Sequence, residues 1–226
     1  MKKLVVFTGS GISQESGIPT FRDRGGIWDE YNVEDVATIS GWRKNPQLVL
    51  DFYNKRRNEL HTVVPNDGHI ALKDLEKDYD VTIITQNVDD LHERAGSTKI
   101  IHLHGELLKQ RSSQNAKLVE ACTKDIKLGD LCELGSQLRP DIVWFGEQVP
   151  AMDDAIRECY KADIFAVIGT SLLVYPAASL LEYTQPRTPI YVVDPGMPEV
   201  PEDFMHRTTF IKQKASNGTR HLIELL

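Results

Sequence analysis

Three apolar runs in this chain end in residues suited to holding a phosphorylated sugar. Val5-Val6-Phe7-Thr8 leads into Gly9-Ser10-Gly11-Ile12-Ser13, Ile168 leads into Gly169-Thr170-Ser171, and Val192-Val193 leads into Asp194-Pro195. Glycines in a strand-to-helix turn let the backbone approach a phosphate, and N–H groups at the start of the next helix bind it. A carboxylate such as Asp194 accepts hydrogen bonds from ribose hydroxyls. Each turn taken singly reads equally well as a plain connection, and Asp194 before proline as a turn former. Gln14 stands where the last glycine of G-x-G-x-x-G would fall, and no Gly-Lys-Ser/Thr follows, which disfavours ATP. The three strand ends together point to a nucleotide.

A second group of residues could do the chemistry. Gln86, Asn87 and Asp89 offer amides and a carboxylate, which suit a ligand carrying hydroxyls and an amide; helix capping is the plainer use of this stretch. His104 has the side chain best matched to moving a proton near neutral pH. His102, two residues earlier on a strand, would face the other way and takes a structural part. Asp90, His92 and Glu93 read as a solvated helix face. Tyr53 and Arg56 are three apart, so a helix puts them on one face. There, a guanidinium fork beside a tyrosine can bind a carboxylate, although Lys55-Arg56-Arg57 also reads as a solvated basic face.

The elements that must position these residues alternate. Strands are expected at Lys3–Thr8, Val81–Thr85, Ile100–Leu103, Asp141–Phe145, Ile164–Gly169 and Pro189–Val193, and helices at Gln47–His61, Asp67–Asp78, Asp153–Lys161 and Ala177–Thr184. Continuous apolar strands between helices predict an α/β fold with a mainly parallel sheet covered on both faces. Ligands of such sheets bind beyond the C-terminal strand ends. Residues 31–79, helical without a convincing strand, and the polar residues 109–139 interrupt the alternation and predict a small second lobe. The expected single domain therefore has a Rossmann-type part at about 1–30, 80–108 and 140–226. The 226 residues carry 41% hydrophobic side chains and a net charge of −7, which excludes an overall basic footprint for nucleic acid. No apolar run reaches the ~18 residues of a membrane span, and the start is too short in apolar residues for a signal peptide. The expectation is a cytoplasmic monomer. Three cysteines, Cys122, Cys132 and Cys159, cannot all pair, so a disulfide scaffold is not expected.

The glycine turn continues into Gln14-Glu15-Ser16-Gly17-Ile18-Pro19-Thr20-Phe21-Arg22. Then follow Thr85-Gln86-Asn87-Val88-Asp89, His102-Leu103-His104-Gly105-Glu106, Trp144-Phe145-Gly146-Glu147 and Gly169-Thr170-Ser171. This ordered set, spread over nearly the whole chain, resembles the sirtuins, the NAD-dependent protein lysine deacylases. The resemblance implies a Rossmann-type domain with a small inserted helical lobe and a zinc-ribbon-like module, and NAD as cofactor. Implied cofactor contacts are Gly9, Ser10, Gly11, Ile12, Phe21, Arg22, Gln86, Asn87, Asp89, Gly169, Thr170, Ser171, Asp194 and Ala215. Ser10 replaces the family's usual alanine. His104 matches the catalytic base and Asn87 a catalytic partner. In the family's reaction the acyl oxygen attacks the ribose carbon that bears nicotinamide. A ribose hydroxyl, helped by the base, then takes the acyl group, giving nicotinamide, O-acyl-ADP-ribose and free lysine.

Tyr53-x-x-Arg56 resembles the branch that removes succinyl and malonyl groups. Gly146, Glu147 and Val174 match segments that flank an extended acyl-lysine peptide. The family's two zinc-binding cysteine pairs correspond here to Arg111-Ser112-Ser113-Gln114-Asn115 and Leu131-Cys132-Glu133-Leu134-Gly135. A four-thiolate site cannot be built from these, so no metal is expected, and packing of Leu118, Val119, Leu128, Leu131 and Leu134 is expected to replace it. Competing readings are an NAD glycohydrolase or ADP-ribosyltransferase on the same scaffold, and a non-catalytic NAD-sensing or peptide-binding module. A hydride-transfer dehydrogenase is disfavoured by the incomplete glycine fingerprint.

Overall fold

The computed structural model describes residues 1–226. Its strands in chain order are β1 (Lys3–Thr8), β2 (Asp80–Thr85), β3 (Ile100–His102), β4 (Gly105–Ser112), β5 (Val119–Ala121), β6 (Leu138–Ile142), β7 (Ile164–Ile168), β8 (Ile190–Val193) and β9 (Thr208–Ile211). The helices are α1 (Gly11–Gln14), α2 (Ile27–Glu30), α3 (Val33–Val36), α4 (Ile39–Lys44), α5 (Pro46–Leu60), α6 (Asp67–Leu75), α7 (Leu91–Arg94), α8 (Met152–Tyr160), α9 (Glu202–Met205) and α10 (Ala215–Leu225), with a 3₁₀ helix at Ala177–Tyr183. No helix is long and apolar enough to cross a membrane.

The continuous apolar runs form a six-stranded parallel sheet in the order β3-β2-β1-β7-β8-β9. Numbered among themselves, these strands run 3-2-1-4-5-6, the doubly wound dinucleotide-binding order. Successive side chains point to opposite faces. Val5 and Phe7 of β1 pack with Phe165, Ala155, Cys159 and Leu180 on one side. Leu4 and Val6 pack with Ile12, Leu72, Leu75 and Leu222 on the other. Each fully buried Val, Leu, Ile or Phe side chain among these contributes about 1.5–3 kcal/mol, enough in sum to make this sheet the frame on which everything else is positioned.

The second lobe combines α2 to α5 with a three-stranded antiparallel sheet, β5-β4-β6. α5 starts where Asn45 Oδ1 accepts from Leu48 N–H and Pro46 occupies the first turn. Its inner face buries Val49, Phe52, Tyr53 and Leu60 against Leu107, Ile142 and Trp144. Arg57 is wholly buried; its Nε donates to Leu107 O at 2.9 Å and its Nη1 to Asn54 Oδ1 at 2.8 Å. Asn54 in turn bonds both the N–H and the C=O of Ile126. α5 is therefore fixed to the small sheet and to the loop beyond it, not merely laid on them.

The structure corrects three sequence expectations here. The run Asp141–Phe145 is not a strand of the parallel sheet: β6 spans Leu138–Ile142 and pairs with β4. Residues 67–79 do not belong with the small lobe, because α6 packs Leu72 and Leu75 on the large sheet beside α10. Val119, Leu128, Leu131 and Leu134 do not pack; they are 42–67% exposed. What joins the two zinc-equivalent segments is polar. Ser112 Oγ and Ser136 Oγ are 2.7 Å apart, and Cys132 Sγ lies 3.0 Å from Ser136 Oγ. Ser112 Oγ also accepts from the N–H groups of Gln114 and Asn115. Below this knot Leu50, Cys122, Ile126 and Leu138 make a small apolar core. No three His, Cys, Asp or Glu side chains stand close enough to share a metal ion. Elemental analysis should therefore find well under one zinc per chain, and a chelator should leave the melting temperature unmoved; one tightly held zinc would overturn this reading.

Candidate active site

The parallel order of the sheet reverses between β1 and β7, and there the first two glycine turns meet. Gly9 N–H donates to Ile168 O at 3.1 Å, and Gly11 N–H to Gly169 O at 2.8 Å. A Cβ on Gly9 would lie 2.6 Å from Thr170 Cβ, and one on Gly11 2.7 Å from Gly169 Cα. Gly169 itself has φ +63°, a conformation that favours glycine. The glycines thus interlock two turns about 160 residues apart into one floor. The floor opens into a cleft of about 840 Å³ between the lobes, the size of a small-molecule site.

Beside the floor, the Asn87 turn is held from every side. Asn87 Nδ2 donates to Gly9 O at 3.2 Å and Ser13 Oγ at 3.1 Å, and its backbone N–H donates to Thr85 Oγ1. His102 Nδ1 lies 3.2 Å from Asn87 O, and its Nε2 lies 2.7 Å from Glu93 Oε1. Burial alone would lower His102, but Glu93 outweighs it and raises the imidazole above its ordinary value. The structural part expected of His102 is what these contacts show. Asp89 is buried, with Oδ2 accepting from Ser13 Oγ–H and Oδ1 from Leu91 N–H. It therefore braces the turn as well as reaching the cleft wall.

His104 lies in the bend between β3 and β4, where Gly105 (φ +82°) passes too close to Asp141 for any side chain. Its Nδ1 lies 3.1 Å from Gln86 O. A carbonyl can only accept, so the proton sits on Nδ1 and Nε2 is left as a bare base. Burial lowers its pKa, against a smaller opposing effect of the Gln86 bond, so the ring is neutral at pH 7.

Behind this wall lies a pair of histidines that sequence reasoning placed in solvent or passed over. His92 is buried, not part of a solvated face, and its Nε2 lies 3.0 Å from Thr8 Oγ1. Thr8 gives its own proton to Thr85 Oγ1 at 2.8 Å, so it accepts from His92. His69 closes a capping box on α6, its Nδ1 accepting from Asn66 N–H, and its ring centroid lies 4.9 Å from that of His92. The Asn66-x-x-His69 spacing was the available signal. Burial, with Arg94 nearby, pushes His69 down to about 4, and burial drives His92 down as well.

An unfolded chain, with its imidazoles near 6.5, takes up these protons first as pH falls. The stability contributed by a neutral His69 is therefore full at pH 7 and is lost between about pH 6.5 and 4, amounting to about 2 kcal/mol at pH 5. His102, raised instead, acts in the opposite sense. Urea unfolding at pH 7 and 5 should show wild type losing about 2 kcal/mol more than His69→Gln; parallel losses would contradict the assignment.

The far end of the cleft is lined by α5. Tyr53 is buried, its hydroxyl accepting from Trp144 Nε1–H at 3.1 Å, and burial pushes its phenol up so that it keeps its proton. Arg139 stacks 3.2 Å from the centroid of Trp144 and pairs with Glu147, which Arg111 also reaches. Arg56 has a side chain only 11% exposed, yet its Nε and Nη1 are buried without a hydrogen-bond partner. Buried donors without a hydrogen bond cost roughly 1–3 kcal/mol each, and the nearest carboxylate, Glu59 Oε2, lies 3.1 Å from Nη1.

All but one of the predicted cofactor and substrate residues line this cleft. The exception is Ile12, whose side chain belongs to the core under the floor. Glu147 lines the cleft, but its carboxylate is held by Arg139, Arg111 and Trp144 N–H, so it supports the wall where a peptide contact was expected. Asp194 sits at the rim, accepting from Gly196 N–H. Arg22 is exposed nearby. The glycine floor, the amides of Gln86 and Asn87 and the rim carboxylate fit a dinucleotide with ribose hydroxyls and a carboxamide.

A doubly wound sheet, a dinucleotide-sized cleft at its switch point and a neutral histidine facing that cleft define an enzyme that works on a nucleotide. Residues 9–176 match the sequence pattern of the Sir2 family. An NAD-dependent protein deacylase of Bacteroides thetaiotaomicron is 51% identical over 232 residues, covering 100% of this chain and 98% of that protein. A Sir2 homologue solved as an NAD complex superposes with a TM-score of 0.85 at 38% identity, covering 99% of this chain and 90% of the other. A Sir2 structure with a p53 peptide and NAD superposes at 0.81 with 31% identity, covering 98% and 92%. This chain belongs to the Sir2 family.

Proposed function

We propose that this protein is an NAD-dependent protein lysine deacylase that removes succinyl and malonyl groups in preference to acetyl, releasing nicotinamide, O-acyl-ADP-ribose and free lysine. NAD, when bound, supplies an electrophilic ribose carbon with nicotinamide as leaving group. The floor at Gly9, Gly11 and Gly169 would hold the phosphates, and Gln86 and Asn87 would orient the nicotinamide ribose and amide. His104 Nε2 takes the proton of a ribose hydroxyl as that oxygen bonds to the acyl carbon. Such proton transfer contributes typically ~10²–10⁴-fold in rate. The acyl-lysine peptide lies extended between Gly146 and Val174, pairing as an added strand. Exposed Phe145 and Tyr175 line the cleft beside these segments.

The observation that carries the acyl preference is the largely buried guanidinium of Arg56, which lines the same cleft as His104 and has the half-exposed Glu59 as its one charged partner. An acetyl group has no use for a buried cation. Mass spectrometry of acetyl-, malonyl- and succinyl-lysine peptides with and without NAD tests the proposal. Expected is NAD-dependent loss of each group, fastest for succinyl and malonyl. Nicotinamide release that ignores the peptide would instead mark a glycohydrolase.

A further inference from the structure

The cation at the end of the acyl pocket already has a partner within its own helix. Glu59 Oε2 lies 3.1 Å from Arg56 Nη1, one turn further along α5. The pair is close but poorly aligned, because Nη1 makes no hydrogen bond that meets a donor geometry. The two ends differ in their surroundings. The Arg56 side chain is 11% exposed and Glu59 44%, and both line the cleft. Glu59 is thus a carboxylate that leans on the guanidinium from the solvent side without satisfying it. The neighbouring charges are otherwise matched: Lys55 Nζ pairs with Glu30 at 3.5 Å, and Arg57 points away into the lobe interior.

Resting on the acidic-acyl reading above, we propose that Glu59 is a built-in competitor for Arg56 and sets how strongly the enzyme prefers acidic over neutral acyl groups. A substrate carboxylate bound to the same fork would share a single guanidinium with Glu59, well inside the ~8 Å screening length of physiological salt. Binding therefore requires Glu59 to swing outward, which its exposure permits, and some like-charge repulsion persists. A neutral acyl group leaves the Arg56–Glu59 contact in place and meets neither effect. The result is a pocket that admits acidic acyl groups while holding their affinity down and retaining use of the neutral ones.

The test compares wild type, Glu59→Gln, Arg56→Met and the double variant. Glutamine keeps the length and removes the charge, and Glu59 lies on an exposed helix face where folding tolerates it; a melting curve checks this. The readouts are kcat/KM for succinyl- and acetyl-lysine peptides, and direct binding of the labelled succinyl peptide by fluorescence anisotropy. An ion pair of this exposure predicts a modest change. Glu59→Gln should raise the succinyl-to-acetyl ratio about two- to fivefold, mainly through KM, with succinyl-peptide binding tightened to match. In the Arg56→Met background the same substitution should do nothing to the ratio. A ratio that stays level or falls in Glu59→Gln overturns the proposal, a fall meaning that Glu59 orients Arg56. If Arg56→Met itself leaves the ratio unchanged, the acidic-acyl reading fails and this inference with it. If Arg56→Met abolishes the preference and Glu59→Gln leaves it untouched, only the inference fails.

Discussion

His104→Ala should lower acyl-lysine turnover by about 10²–10⁴-fold, the range a positioned general base supplies. The loss should fall on kcat, with succinyl-peptide KM and NAD binding changed by a few-fold at most, because the imidazole supports no other element. Its protein contact is a single bond to Gln86 O, and the Asn87 turn is held by Thr85, Ser13 and His102 instead. The pH profile gives an independent reading. Burial holds the His104 pKa below its ordinary 6.5, so the base is neutral at pH 7 and is lost only as pH falls below that value. The acid limb of kcat/KM should bend below pH 6.5 in wild type, and the residual rate of His104→Ala should lack that bend. A variant as active as wild type would take the general-base role away from His104.

Arg56→Met is expected to separate the two acyl classes. Truncating one side of a desolvated, hydrogen-bonded charge pair costs about 2–5 kcal/mol, which puts the loss of succinyl kcat/KM at about one and a half to three and a half orders of magnitude. Methionine fills much the same space, and the residue it replaces makes no hydrogen bond through Nε or Nη1. Acetyl-lysine turnover should therefore stay within about fivefold, since a neutral group gives up no ion pair. Arg57→Met makes the contrasting control. Arg57 ties α5 to Leu107 O and Asn54, so its loss should destabilise the lobe and reduce both activities together. An Arg56→Met enzyme that loses both activities equally would place Arg56 in that same structural role.

What could be read from the sequence was what a local pattern records. The strands of the large sheet are covered on both faces, so their apolar runs are unbroken, and five of the six were legible. β9 was not, because its Thr-Thr-Phe-Ile lies at the sheet edge and only Ile211 is buried. α10 was hidden by Asn217 and Gly218; the glycine is there because a Cβ would run into Val193 on β8. The fate of Leu128, Leu131 and Leu134 could not be read, because apolar type promises burial only where an element provides a partner, and this turn-rich loop provides none. His92 sits on a four-residue helix among charged neighbours, and its burial comes from α6 and β1, distant in sequence. The cleft residues were legible because their order along the chain forms a family pattern. Which of them hold a ligand and which hold each other, as Ile12 and Glu147 do, depended on three-dimensional contacts.

The interlocked turns at Gly9 and Gly169 also constrain how the protein comes to life on the ribosome. Neither half of the phosphate seat exists alone, since each turn is shaped by the backbone of the other. A nascent polypeptide that has emerged only as far as β6 has His104 and α5 but only one of the two interlocking turns. The seat begins to form only when the seventh strand lies beside the first, and the rim at Asp194 follows with the eighth.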